Sequence, residues 1–210
     1  MATLRTKVTI LLSALALLLA GSAVGLSAGE VSAASVVTQS SSNPAEWNWP
    51  TFQQGSSGLD VRTIQYLLNA RGAGLAVDGI FGPRTNAAVR SFQGSHGLAI
   101  DGIVGQHTWS SLLITVQHGS TGSAVRAAQD QLTSRNLPGD PVLVIDGIFG
   151  PKTESAVLYF QTRMDAAIHH PDFDQTSVFD TSVPYGNFAV DGIVGPLSWF
   201  SLVVGYFSAG

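Results

Sequence analysis

Residues 77–93 read VDGIFGPRTNAAVRSFQ, and residues 145–161 read IDGIFGPKTESAVLYFQ. Eleven of the seventeen positions are identical, so the chain contains a duplicated unit rather than two unrelated segments. The duplication extends outward on both sides. Upstream, QQGSSGLDVRTIQYLL from Gln53 aligns with QHGSTGSAVRAAQDQL from Gln117. Downstream, IDGIVGQHTW at 100–109 aligns with VDGIVGPLSW at 190–199.

Apolar residues in each unit recur at helical spacing. Val61, Ile64 and Leu68, matched by Val125, Ala128 and Leu132, predict the buried stripe of a first helix. Gly58 and Gly122 precede it, with Ser57 and Thr121 as hydroxyls suited to capping its free N–H groups. Pro83 and Pro151 open a second helix, because proline is tolerated at the first helical position. Its inner face is Thr85, Ala88, Val89 and Phe92, matched by Thr153, Ala156, Val157 and Phe160. A short third helix carries Trp109 and Leu112, matched by Trp199 and Leu202. DGIFG and DGIVG are turns: Asp accepts N–H groups two residues on, Gly takes a positive φ, and Ile or Phe points inward as a plug. The predicted fold class is therefore all-α, two small three-helix-bundle modules in tandem, joined by glycine-rich DGIFG and DGIVG turns.

The N-terminal residues 1–33 have Arg5 and Lys7, an apolar run from Val8 to Ala20, then small residues, the pattern of a secretory signal peptide cleaved after Ala33. Its removal leaves 8 basic and 13 acidic residues, a net charge of −5. Nothing resembles a basic stripe for nucleic acid, so no nucleic-acid partner is expected, and no membrane contact after cleavage. Residues 34–46, ASVVTQSSSNPAE, read as a flexible linker. Module 1 then spans 47–113 and module 2 spans 114–207, with a loop insertion at about 162–187, since Gln161 to Asp191 exceeds the matching interval Gln93 to Asp101 by 22 residues. The chain has no cysteine, which removes disulfides and every mechanism with a thiolate nucleophile.

The pattern GxxGxxVxxxQxxL, then DGIFGPxTxxAVxxFQ, then GLxxDGIVGxxTW resembles the peptidoglycan-binding domain found as an accessory module on bacterial cell-wall hydrolases. Module 1 fits from Trp49 to Leu113; module 2 departs in its insertion and has Ser198 in place of Thr before Trp199. The resemblance implies a three-helix bundle that binds the wall polymer, its glycan strands and carboxylate-ended stem peptides, in a secreted or wall-associated protein. No cofactor is expected.

The candidate ligand-binding residues are Gln65, Asp78, Phe81, Arg84 and Thr85, with Gln129, Asp146, Phe149, Lys152 and Thr153 in the second unit. Arg84 and Lys152 sit in the first turn of a helix, where a cation opposes the dipole at a cost of a few tenths of a kcal/mol. A helix N-terminus with a cation suits a carboxylate ligand. Gln65 and Gln129 fall on the apolar side of their helix, so each bonds the DGIFG turn or lines a groove beside it. Trp109 and Trp199 read as core plugs rather than sugar platforms.

The sequence contains no GxSxG, HExxH or HxH, and SHGLAID at 95–101 only faintly resembles the zinc-carboxypeptidase pattern, with its His96 to Asp101 spacing too short. The reading is of a noncatalytic binding protein, not an enzyme. Two alternatives stand beside it. One is a cell-wall hydrolase whose metal site is formed in the insertion by His169, His170, Asp172 and Asp174, with Asp180 nearby. The other is a wall-anchored interaction protein that recruits a further protein partner.

Overall fold

Each unit builds a helical module, and the modules are held together along equivalent helices. The computed structural model describes residues 43–135, 140–168 and 188–204, which fall in one compact unit. Residues 1–42, which hold the expected signal peptide and most of the expected linker, lie outside the described residues, as do residues 136–139, 169–187 of the expected insertion, and 205–210.

Module 1 contains α1 (Leu59–Ala70), α2 (Pro83–Ser95) and α3 (Gln106–Leu112). Module 2 contains α4 (Ser123–Ser134), α5 (Pro151–Ile168) and α6 (Pro196–Val204). The expected stripes face inward: Val61, Ile64, Val125, Ala128, Trp109, Leu112, Trp199 and Leu202 are all buried. Of the two plug candidates in each DGIFG turn, Phe81 and Phe149 are buried, whereas Ile80 and Ile148 are 58% exposed.

Ser57 and Thr121 do not cap the first helices. The N-caps are Gly58 and Gly122, both at positive φ and without a side-chain bond. Ser57 instead pairs with Ile80 in an isolated antiparallel bridge, and Thr121 pairs with Ile148. The DG turn therefore lies against the helix entry, with the Gly58 N–H donating to Gly79 O at 2.9 Å.

Order begins before Trp47, earlier than the linker boundary drawn from composition. Residues Pro44–Glu46 form a 3-10 turn capped by Asn43, whose Oδ1 accepts from the Ala45 N–H. The physical reason is aromatic. Trp47 and Trp49 are buried, Trp49 stacks on Trp109 at 5.3 Å, and Trp47 and Trp49 meet Phe200 of α6 edge-on at 5.4 and 4.9 Å respectively. Two indoles of this size demand a partner surface, and here it comes from both modules. The insertion likewise begins as helix, because α5 continues to Ile168 with Met164 and Ile168 buried.

The modules meet where α1 packs along α4. Ala124, Ala127 and Ala128 are buried on α4, and small residues permit close approach. Polar groups fix the register. Arg62 donates from Nε and Nη2 to the Asp130 carboxylate at 2.7 and 3.1 Å. Gln131 Nε2 donates to Asp60 Oδ1 and Thr63 Oγ1 at 2.8 and 2.9 Å.

Candidate functional site

The DG turns owe their shape to glutamine. Gln65 in α1 donates from Nε2 to Asp78 Oδ1, Ile80 O and Thr85 Oγ1 at 2.8, 3.0 and 3.2 Å, while its Oε1 accepts the Gly79 N–H at 2.9 Å. One buried amide thus binds both ends of the turn and the first turn of the next helix. Gln129 repeats every contact with Asp146, Ile148, Thr153 and Gly147.

The same clasp occurs twice more, once in the second half of each module. Gln93 in α2 holds Asp101, Ile103, Thr108 and Gly102. Gln161 in α5 holds Asp191, Ile193, Ser198 and Gly192. The repeating element is therefore a helix, a DG turn and the start of the next helix, present four times. The sequence carried the signal: both quoted segments end in Phe-Gln, and each is followed by a DGIVG turn. Serine at 198 keeps the hydroxyl, so this departure from threonine preserves the clasp.

These bonds decide what the candidate residues can do. Gln65, Thr85, Gln129 and Thr153 are buried, and their polar atoms are committed to the turns; Phe81 and Phe149 are core. Asp78 and Asp146 are exposed, and each is held below the usual carboxylate range first by the glutamine amide and then by the N–H of Ile80 or Ile148. Arg84 and Lys152 are exposed at the second position of α2 and α5. Each module thus offers solvent an aspartate and a cation from the expected set. Trp109 and Trp199 are fully buried, with Nε1 donating to Pro50 O and Ile114 O at 2.9 Å, as expected for core residues.

Grooves open elsewhere, between the first and second helices of each module. In module 1 the groove is lined by Leu68, Arg71, Ala88, Ser91, Phe92 and His96, among others. In module 2 the equivalent groove is lined by Leu132, Arg135, Ala156, Tyr159, Phe160 and Arg163, with Asp140 at its edge. Neither groove was read from the sequence, although Arg71 and Arg135 occupy the same place in the aligned units. Among the described residues, no group of three or more His, Asp or Glu could hold a metal ion; His169, His170, Asp172 and Asp174 lie outside them. No described helix is long and apolar enough to cross a membrane.

Residues 57–112 and 121–166 match a family described as the putative peptidoglycan binding domain, one segment in each module. Both segments belong to that family. The match to the zinc D-Ala-D-Ala carboxypeptidase of Streptomyces albus G is 40% identical over 140 residues, covering 66% of this chain and 43% of that protein. The chain thus spans less than half the length of this curated relative. Among solved structures, a peptidoglycan-binding protein from Clostridioides difficile in complex with glutamine hydroxamate is 40% identical, with a TM-score of 0.30, over 30% of this chain and 40% of that one. A fused Zn-dependent amidase/peptidase/peptidoglycan-binding domain-containing protein from Clostridium acetobutylicum ATCC 824 is 36% identical, with a TM-score of 0.31, over 42% and 46% of the two chains. A Burkholderia AP3 phage endolysin is 29% identical, with a TM-score of 0.30, over 52% and 37%.

These relatives correct one expectation. The absence of familiar catalytic motifs had suggested that the protein is not an enzyme, but its curated relative is a zinc carboxypeptidase. The match covers only 43% of that relative, so the absence of catalytic motifs from this chain carries no weight on that question.

Proposed function

We propose that the two modules bind peptidoglycan and hold a cell-wall hydrolytic activity on its insoluble substrate, in a protein that residues 1–33 direct out of the cell. The observation that carries this reading is the tandem domain match, joined to 40% identity with a zinc D-Ala-D-Ala carboxypeptidase. A hydrolase acting on a polymer wall gains from retention, because a bound enzyme meets its substrate at high effective concentration. Arg84 and Lys152, exposed on both modules, add attraction toward the carboxylates of the stem peptides.

The test is co-sedimentation of residues 34–210 with purified insoluble peptidoglycan, with chitin as the control polysaccharide. Retention on peptidoglycan and recovery from chitin in the supernatant is the expected outcome. Equal distribution on the two polymers removes the reading. Arg84→Ala with Lys152→Ala should weaken retention about twofold to fivefold at low salt, with an unchanged thermal midpoint, since exposed charges contribute little to stability.

A further inference from the structure

The two grooves are equivalent by position but differ in whether their arginines are paired with carboxylates, and that difference points to what each can hold. Arg71 and Arg135 are both tied to the end of their module: Arg71 Nη2 donates to Ser111 O and Leu113 O at 3.1 and 3.4 Å, and Arg135 Nη2 to Val203 O at 3.2 Å. In module 2 the guanidinium is spent. Arg135 Nε donates to Gln131 Oε1 at 2.9 Å, Asp60 lies 3.5 Å from Nη2, and the second cation of the groove, Arg163, is paired with Asp140 at 3.0 Å.

In module 1 the position of Gln131 is filled by Leu67, which has no acceptor. Arg71 consequently meets no carboxylate among the described residues, and its Nε–H has no acceptor there. The guanidinium lies over the Phe92 ring, 5.6 Å from its centroid, and Nη1 contacts His96 Nε2 at 3.4 Å. Arginine can only donate, so His96 Nε2 accepts and Nδ1 carries the proton toward Phe92 O, 2.9 Å away. The cation is thus fixed on one edge, exposed, and open to a ligand on the other.

We propose that the α1–α2 groove of module 1 binds the terminal carboxylate of a peptidoglycan stem peptide, with Arg71 as its partner, and that the module 2 groove does not. This rests on the peptidoglycan reading and names the part of the polymer recognised. Sugar stacking in the module 1 groove is disfavoured by its own aromatic and by the burial of the tryptophans. All four tryptophans are buried, at 4% exposure or less, and Phe92 is covered by Arg71 and by His96, whose ring stacks on it at 4.0 Å. What the groove offers is a guanidinium, the hydroxyls of Ser91 and Ser95, and apolar surface from Ala88 above the buried Leu68. That set fits a carboxylate on a short chain with small alkyl side groups.

The experiment titrates isotope-labelled residues 34–210 with a synthetic alanine-terminated stem tetrapeptide, as the free acid and as its C-terminal amide, reading amide NMR shifts. The account predicts saturable shifts at Ser91, Ser95 and His96, and an affinity about fivefold or more higher for the acid. Arg71→Gln should abolish that preference, and Arg71→Lys should retain part of it through the charge. Should Arg71→Gln unfold the module, Ser91→Trp fills the exposed mouth of the groove without touching the anchoring carbonyls, and must block the same shifts. Equal affinity for acid and amide, no saturable shift, shifts confined to Tyr159 and Arg163, or competition by peptide-free glycan strands would each overturn the proposal. Failure of the unmodified protein to sediment with peptidoglycan would sink the binding function itself, whereas sedimentation without acid preference sinks only this assignment.

Discussion

A buried glutamine with one aspartate, one glycine and one hydroxyl is the residue-scale rule of this protein, and it is obeyed four times. Its energetics follow from burial: removing the amide leaves the buried glycine N–H of the turn without its acceptor, while the hydroxyl keeps its own bond to the turn carbonyl, as Thr108 Oγ1 does to Ile103 O at 3.1 Å. Gln93→Ala should therefore cost about 2–3 kcal/mol, read as a lowered denaturation midpoint with an unchanged m-value. Gly102 is equally constrained, with φ of 74° and a hypothetical Cβ only 2.5 Å from Asn86 Nδ2. Gly102→Ala should cost about 1–3 kcal/mol from backbone strain before any clash is counted.

The aspartates give the clasp a pH signature. Asp78 and Asp146 are held low chiefly by glutamine amides, and Asp101 chiefly by the Ile103 N–H. A depressed folded value contributes stability that is present above the ordinary carboxylate pKa and is lost as pH falls through the folded one. Asp60 opposes this: burial raises its value, so its contribution is present at low pH and is lost as pH rises through the raised value. The three clasp aspartates act in the same direction, and their loss should lower the thermal midpoint as pH drops below about 4. Asp78→Asn with Asp146→Asn keeps the acceptor but not the charge, and should flatten that decline in a pH series of melting curves.

At the scale of elements, helix positions and the DG turns were legible because they depend on local signals: proline at a helix start, apolar spacing, glycine after aspartate. The turns' internal partners were half legible, since Gln65 and Gln129 stood out on an apolar face while Gln93 and Gln161 ended a motif and looked like its tail. The capping role assigned to Ser57 and Thr121 failed because an adjacent DG turn, distant in sequence, occupies the helix entry. The contact of α1 with α4 was not legible at all. It depends on Arg62 meeting Asp130 across 68 residues, and Tyr66, not an acid, stands where Asp130 does in the other unit. Arg62 is 35% exposed, so Arg62→Ala should cost about 1 kcal/mol, and a double-mutant cycle with Asp130→Ala should show coupling of similar size.

At the scale of the whole molecule, the duplicated stretch packs its described residues into one compact unit with two equivalent grooves, rather than two beads on a string. Duplication alone suggests avidity, in which a second weak site on the same chain raises apparent affinity about a hundredfold without new contacts. The packing of α1 on α4, and the seating of Trp47 and Trp49 against Phe200, fix the relation of the grooves, so any such gain is set by geometry and not by a linker. Cutting the chain after Leu113 would strip these indoles of Phe200 and bare the polar face of α1, which makes module 1 alone a poor test of binding.

The most direct test keeps the chain whole. Residues 34–210 are mixed with increasing amounts of purified insoluble peptidoglycan, and the protein left in solution is measured after sedimentation, at low and at high salt. The account predicts saturable depletion, with a dissociation constant in about the micromolar range that weakens as salt rises. Depletion that never saturates, or that is matched by an equal mass of chitin, would contradict it.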